Sequence, residues 1–568
     1  MDRRVPAAAP RHLGAVISWV AAHSLAAFLL LVAIGSLRIM STFHVLSHTS
    51  DEPAHIAAGL EWLSKGVYQY EPQHPPLARV AAALGPYLAG QRAGGNQNMW
   101  LEGLAVLYRN YDRNLALARL GILPFFWAAS LVVFLWGKRY VGELGAVFAV
   151  LCFTFLPSIL AHSGLATTDM ALTATVSACF LAAMVWLERP SLARTLVFGA
   201  TIGLAALSKF SALVFIPAAL AATLIWYLAA TRPHPAELFR RTKTYFLPLC
   251  GALLAASVVI WGGYRFSFDE IPIDTQQVSE AERFSVYPVA TSSGPHVPAP
   301  EFFAGIEQVM HHNNRGHEAY LLGVHSDSGW WFYYFVVLAV KTPLPFLGLL
   351  LCGFILSVGR MNREIVPALA FSLGILLVAS FVSNINIGVR HILPVYVGFS
   401  IVAGVGTAQL LERARTSRRA GGILAGLLLW LVATSALAHP DYLSYFNAIA
   451  ANRPEEFLVD SDLDWGQDQK RLARRLREVN APEVAFTRFF PDDLGAAGLP
   501  PVRPLNPEAP SPGWNAVNLT ALKLWRFGLQ GERAKRQLWP EQIKPTERVG
   551  KGIWLWYFPP SSIPDAPK

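Results

Sequence analysis

Long charge-poor runs dominate the hydrophobic and polar pattern between residues 15 and 440. A helix needs about 20 apolar residues to cross a bilayer. Eleven runs approach that length: 15–39, 116–136, 142–161, 170–187, 194–208, 211–230, 246–264, 331–358, 365–383, 392–410 and 421–438. They predict a polytopic α-helical membrane protein of about 11 transmembrane helices. The stretch 194–230 holds two spans only if Ser208-Lys209-Phe210 forms a tight turn. Beyond 440 the pattern changes. Residues 467–478 have helical charge spacing, and EVAFTRFF (483–490) and GIWLWYF (552–558) read as strands. The expected division is a membrane domain over 1–440 and a small soluble α/β domain over 455–568.

Composition agrees. The chain is 53% hydrophobic and 15% charged, where soluble chains carry about 25% charged residues. Basic residues then orient the spans. GKRY (137–140), LERPSLAR (187–194), TRPHPAELFRRTK (231–243), GRMNRE (359–364) and ERARTSRR (412–419), with the N-terminal MDRR, all fall on one side of an eleven-span arrangement. Lys/Arg-rich connections are cytoplasmic. The N-terminus is therefore expected inside, with the first span as an uncleaved anchor. The net charge of +9 follows from these loops and their contact with anionic lipid, not from nucleic acid. The four cysteines lie in or beside predicted spans, without metal-ligand spacing or a disulfide framework.

The opposite face receives segments 40–115, 265–330 and 439–568, and twelve of the fifteen histidines fall there or at span ends facing it. A transporter is expected to hold its polar residues near the bilayer midplane, within broken helices. Here they gather at one interface. The string SHTSDEPAHIAAG (47–59) sets Asp51 and Glu52 before Pro53, a residue that favours a helix's first turn. The pair reads either as a helix cap or as a base or orienting carboxylate tuned by partial desolvation. YEPQHPPLARV (70–80) adds His74 and Arg79, and His55 follows the acidic pair. LATTD brings Asp169 to the outer end of a span, LSKFSAL puts Lys209 in the doubtful hairpin, and GVRHILP brings Arg390 and His391 to the start of another. Acids activate an acceptor; Lys and Arg hold a phosphate leaving group.

SDEPAH, HPPLAR, LATTD, LSKFSAL and GVRHILP together resemble the polyprenol-dependent glycosyltransferases of the GT-C fold, near the protein O-mannosyltransferases and the lipid A aminoarabinose transferases. The resemblance covers roughly residues 15–440. It implies a sugar donor on a polyprenyl phosphate, transfer with inversion, and a protein, lipid A or glycan acceptor. Asp51 corresponds to the acidic-pair carboxylate that acts as base or orients the acceptor, with Glu52 beside it, and Asp169 matches the second acidic position. Lys209 and Arg390, with His391, are candidates for the donor phosphate; His55, His74 and Arg79 line the same cavity. No cofactor is required, though a divalent metal is left open, and no metal ligand is assigned. The active site and C-terminal domain are expected in the periplasm, in a bacterial inner membrane. A transporter or flippase of lipid-linked sugar is the alternative reading, and a non-catalytic scaffold a further one.

Two further strings stand apart. DSDLDWGQD (460–468) fits a calcium loop poorly, since Gly466 comes one residue late and Arg471 replaces the closing Glu. It reads as an acidic turn capping the helix that starts near Gln467, or as an acidic rim. MHHNNRGHEAYLLGVHSDSGWWFYY (310–334) holds four histidines without metal-ligand spacing; it reads as a loop over the cavity.

Overall fold

The computed structural model describes residues 11–271, 295–357, 365–487, 498–525 and 538–559. The MDRR terminus, the GRMNRE connection, most of the first half of the 265–330 segment and the last three residues of EVAFTRFF lie outside the described residues. Among the described residues six helices are long and apolar enough to cross a membrane: Tyr111–Tyr140, Asp169–Glu188, Ala212–Thr231, Pro235–Gly263, Val395–Ala414 and Arg418–Leu437. Two bent pairs pass as one span each, which raises the count to eight. Shorter apolar helices at Ser24–Met40, Leu192–Ser208 and Val366–Val382 stand where three other runs were expected to cross. The chain is an integral membrane protein with an apolar helix at each of the eleven places.

Two of the runs are not straight. Glu143–Thr154 turns 68° into Pro157–Ser163, and Tyr333–Lys341 turns 110° into Leu344–Ser357. Proline explains both: it lacks an N–H and drives the residue before it out of helical geometry. Leu156 before Pro157 and Thr342 before Pro343 are both extended. The helix does break between Ser208 and Ala212, with Lys209 extended at the turn. Helix Val395–Ala414 is buried along most of its length. It approaches Glu143–Thr154 so closely that a Cβ at Gly404 would lie 2.7 Å from the Gly145 carbonyl.

At one end of the bundle lie the helices Glu52–Lys65, Pro76–Leu88, Met99–Tyr108 and Pro300–Arg315. The C-terminal residues cover the same end. Helix Gln469–Glu478 packs on a mixed five-stranded sheet in the order Val502–Pro504, Val484–Thr487, Gly513–Asn518, Ile553–Phe558, Glu547–Val549. The first three strands run parallel and the last two pair antiparallel, with Ala516 opposite Leu555. Leu472, Leu476, Val484, Ala516 and Leu555 form its apolar core. The seam to the membrane part is polar and specific. Lys341, itself 1% exposed, donates to the carbonyls of Leu443 (2.7 Å) and Asp462 (2.5 Å), and the Val389 amide donates to Asp462 Oδ1 (3.0 Å).

Candidate active site

Asp51 precedes the helix Glu52–Lys65, yet its side chain caps nothing. Instead Arg390 donates from Nη1 to Asp51 Oδ2 at 2.9 Å, with the carboxylate 29% exposed and the guanidinium 9%. Arg390 sits on a 3-10 turn, Val389–Ile392, and its guanidinium lies 4.1 Å from the Trp465 ring centroid. Its Nε has no hydrogen-bond partner among the described residues. Arg390 is buried; that burial lowers its basicity, but Asp51, Asp169 and Asp460 outweigh it and hold the cation more firmly charged than usual. A capping role for Asp51 is thereby replaced by a tertiary ion pair between the first connection and the start of a late span.

A second pair lies nearby. Lys209 Nζ donates to Asp169 Oδ1 at 2.7 Å, and the second oxygen of Asp169 has no hydrogen-bond partner among the described residues. Asp169 is fully buried at the first turn of its helix, while Lys209 retains 13% exposure. The charge of Arg390 and the imidazoles of His162 and His391 also act on Asp169. His391 is partly enclosed; that enclosure, then the charges of Lys209 and Arg390, hold it neutral, well below the ordinary imidazole range. So Asp51, Asp169, Lys209, Arg390 and His391 converge, from four separate stretches of chain.

Glu52 points elsewhere. It is fully buried, and both its oxygens are filled: Arg119 Nε (2.8 Å) and the Ala166 amide (2.9 Å) donate to Oε1, Arg119 Nη2 (2.9 Å) and the Thr49 amide (2.7 Å) to Oε2. Burial favours its neutral form, but Arg119 and these amides prevail and keep its carboxyl below the usual range. Arg119 further ties down the carbonyl of Ser47 (2.7 Å), so the Glu52–Arg119 pair fixes the turn that presents Asp51.

His55, His74 and Arg79 form a separate buried ladder. Arg79 is 1% exposed and donates to His55 Nδ1 (3.0 Å), the Glu71 carbonyl (2.8 Å) and the Glu71 carboxylate. His74 Nδ1 meets the same carboxylate at 3.1 Å. Burial, then Arg79, holds His55 neutral, well below its ordinary value. Burial raises Glu71, yet Arg79 and His74 outweigh it and leave it ionised. The ladder supports the helix of Asp51 from behind; the charge of Asp169 reaches His55.

The acidic string is buried rather than capping. Asp460, Asp462, Asp464 and Asp468 are 9%, 0%, 0% and 0% exposed. Helix Gln469–Glu478 begins after Asp468 without a side-chain cap. Asp464 accepts from the Gly466 amide and Asn518 (3.2 Å each), and Asp468 from Arg471 (2.8 Å) and the Gly552 amide (2.9 Å). Of the four histidines of 310–334, His312 and His317 have ring centroids 5.6 Å apart, His312 meets Gln73 at 2.7 Å, and His325 meets the Lys523 carbonyl at 2.6 Å.

Residues 115–261 match the sequence model of the dolichyl-phosphate-mannose-protein mannosyltransferase family. The match spans about a quarter of the chain. The matched stretch contains Arg119, Asp169 and Lys209, while Asp51, Arg390 and the acidic string lie outside it. No curated protein sequence matches the chain. Among solved structures, ArnT from Cupriavidus metallidurans bound to undecaprenyl phosphate is 15% identical, with a TM-score of 0.47 over 93% of this chain and 97% of that one. The S. cerevisiae protein O-mannosyltransferase Pmt1–Pmt2 complex bound to its sugar donor is 12% identical, TM-score 0.49, over 77% and 92%. An Archaeoglobus fulgidus oligosaccharyltransferase is 15% identical, TM-score 0.42, over 80% and 58%.

Sequence reasoning missed Arg119, Glu71, Lys341 and Trp465. A lone cation inside an apolar run marks a buried partner, and that signal was present for Lys341 and Arg119. Nothing local marks Glu71 or Trp465.

Proposed function

We propose that this protein transfers a sugar from a polyprenyl phosphate to an acceptor hydroxyl at the outer face of the membrane, in a site built on Asp51, Arg390, Lys209 and Asp169. The observation that carries the reading is the state of the two cations. Lys209 and Arg390 are mostly buried, each pairs with one carboxylate among the described residues, and Arg390 Nε is buried there without an acceptor. A guanidinium has five donors and an ammonium three; buried donors left unfilled are costly. An anionic phosphate fills them, and the match of residues 115–261 to the dolichyl-phosphate-mannose-protein mannosyltransferase model supports that choice of anion.

In this reading Lys209 and Arg390, with His391 beside them, hold the donor phosphate and stabilise the charge it gains on leaving. Asp51, the more exposed acid, takes the acceptor proton. The acceptor oxygen bonds to the anomeric carbon as the bond from that carbon to the phosphate oxygen breaks, and the polyprenyl phosphate leaves with the electron pair. Attack from the face opposite the phosphate gives inversion. Asp169 positions Lys209, Glu52 positions the Asp51 turn, and His55, Arg79 and His74 brace the helix behind it. No metal is needed to neutralise the phosphate. The acceptor is a protein, lipid A or a glycan; the N-terminus is cytoplasmic, and the site and C-terminal domain are periplasmic in a bacterial inner membrane.

The test offers labelled polyprenyl-phosphate sugars, with membrane extract as acceptor, to the wild type and Asp51→Asn in detergent. One donor is consumed by the wild type. The variant retains the donor but turns it over about 10²- to 10⁴-fold more slowly, the usual worth of a general base. Equal turnover by both proteins, or no donor consumed, overturns the reading.

A further inference from the structure

The acidic string 460–468 has no part in the chemistry above, yet its stretch of chain holds both halves of the Asp51–Arg390 pair. On one side the Ser50 amide donates to the Trp465 carbonyl (3.1 Å) and the Ser47 amide to the Gln467 carbonyl (2.9 Å), while the Lys470 amide donates to Ser47 Oγ (2.7 Å). These bonds fasten the residues that lead into Asp51. On the other side the Ser461 hydroxyl donates to the Ile387 carbonyl, and Asp462 Oδ1 accepts from the Val389 amide (3.0 Å). These fasten the turn that carries Arg390. Trp465 joins the two sides, since its carbonyl holds the first turn and its ring meets Arg390 of the second. Its own amide is fixed to Gln467 Oε1 (2.7 Å), and Gln467 in turn to the Leu463 carbonyl (2.9 Å) and Ser444 Oγ (3.1 Å). The side chain is buried, with the Arg390 guanidinium carbon over its ring at 4.1 Å and the His162 ring at a steep angle 6.5 Å away.

We infer that Trp465 is a positioning residue for the donor phosphate: its ring holds Arg390 by the flat face and so keeps N–H groups at the guanidinium's edge for the phosphate. The inference rests on the transferase reading above and deepens it. A guanidinium is planar, and its five N–H donors all point outward in that plane. A carboxylate that fixes it takes donors at the edge. An aromatic ring attracts the cation over its face and takes none. Arg390 is held in both ways. Asp51 takes Nη1, the Trp465 ring lies under the face, and Nε is buried without a hydrogen-bond partner among the described residues. An aliphatic side chain would fill the same apolar volume, but only an aromatic face draws a cation, and it draws one most strongly out of water. Trp465 is sealed and Arg390 nearly so. One residue of the C-terminal part thus sets the cation and, through its carbonyl, steadies the turn that presents Asp51.

The test uses the full chain in detergent and measures the affinity for labelled polyprenyl phosphate and for the neutral polyprenol. Trp465→Leu and Trp465→Phe are each made alone and together with Arg390→Met, which is also made by itself. Trp465→Leu weakens polyprenyl phosphate about tenfold, the order of a desolvated cation–π contact, whereas Trp465→Phe keeps a smaller ring and weakens it only about threefold. Polyprenol binding is unchanged in both, which also shows that they are folded. In the Arg390→Met background neither substitution weakens the phosphate further, because a residue that acts through Arg390 then has nothing to act on. A loss that persists in that background overturns the inference, as does an equal loss of polyprenol or an unchanged phosphate affinity in Trp465→Leu. Should Trp465→Leu not fold, Trp465→Phe decides alone: its loss must be confined to the phosphate and vanish with Arg390→Met, and any other result overturns the inference. A wild type that binds polyprenyl phosphate no more tightly than polyprenol, or an Arg390→Met that keeps the wild-type phosphate affinity, overturns the transferase reading and the inference with it.

Discussion

Asp51 and Glu52 are adjacent in sequence and opposite in circumstance. One carboxylate is 29% exposed and pairs with Arg390, the other is sealed among Arg119 and two amides. A sequence shows two acids; it does not show which is exposed, because that is set by Arg119 and Arg390, which arrive from other helices. The distinction predicts opposite mutational behaviour. Glu52→Gln leaves Arg119 buried beside a neutral amide, and breaking a buried pair costs about 3–5 kcal/mol. Thermal unfolding in detergent shows that loss as a lowered midpoint, whereas Asp51→Asn, being partly exposed, leaves the midpoint nearly unchanged and affects turnover.

At the scale of elements, the spans were readable because a bilayer demands long apolar runs, and the Ser208–Ala212 break was readable because Lys209 interrupts one. The bends after Phe155 and Thr342 were not taken from the prolines that cause them, so two runs that read as straight spans are bent pairs. The turn Val389–Ile392 shows how one element positions chemistry. Gly388 precedes it at φ 139°, and a Cβ there would lie 2.4 Å from Ser461 Oγ, whose hydroxyl donates to the Ile387 carbonyl. Gly388→Ala is strained in backbone and crowded against that contact. It is expected to shift the turn carrying Arg390 and reduce donor turnover at least tenfold, while helical circular dichroism stays unchanged. Wild-type turnover in the variant would show that the turn does not set the position of Arg390.

For the whole molecule, the seam between the membrane helices and the C-terminal sheet carries a pH dependence. Burial, then the charge of Asp468, pushes Asp464 up to about 7. An acid whose folded value is raised binds its proton more firmly when folded, so its contribution is fully present at low pH and is lost as pH rises through about 7. Arg471 and Asp441 act on Asp468 from the same seam. The unfolding midpoint of the wild type is expected to fall between pH 5 and pH 8, and Asp464→Asn to flatten that fall; a variant with the wild-type slope would assign it to another group. The crowding is visible at Gly550, φ 62°, where a Cβ would sit 2.2 Å from Asp468.

By itself the sequence determined the apolar helices, the hairpin at Lys209 and the strands at 484–487 and 553–558, because hydropathy and periodicity are local properties of a chain. It also nominated Asp51, Asp169, Lys209 and Arg390 without pairing them. Only the tertiary structure decided that Arg390 belongs to Asp51, 339 positions away, that Glu52 belongs to Arg119, and that the acidic string of the C-terminal part turns inward to border the site. The reason is that a charge's chemistry depends on its burial and its partner, and both are supplied by residues distant in sequence that meet only when the helices pack.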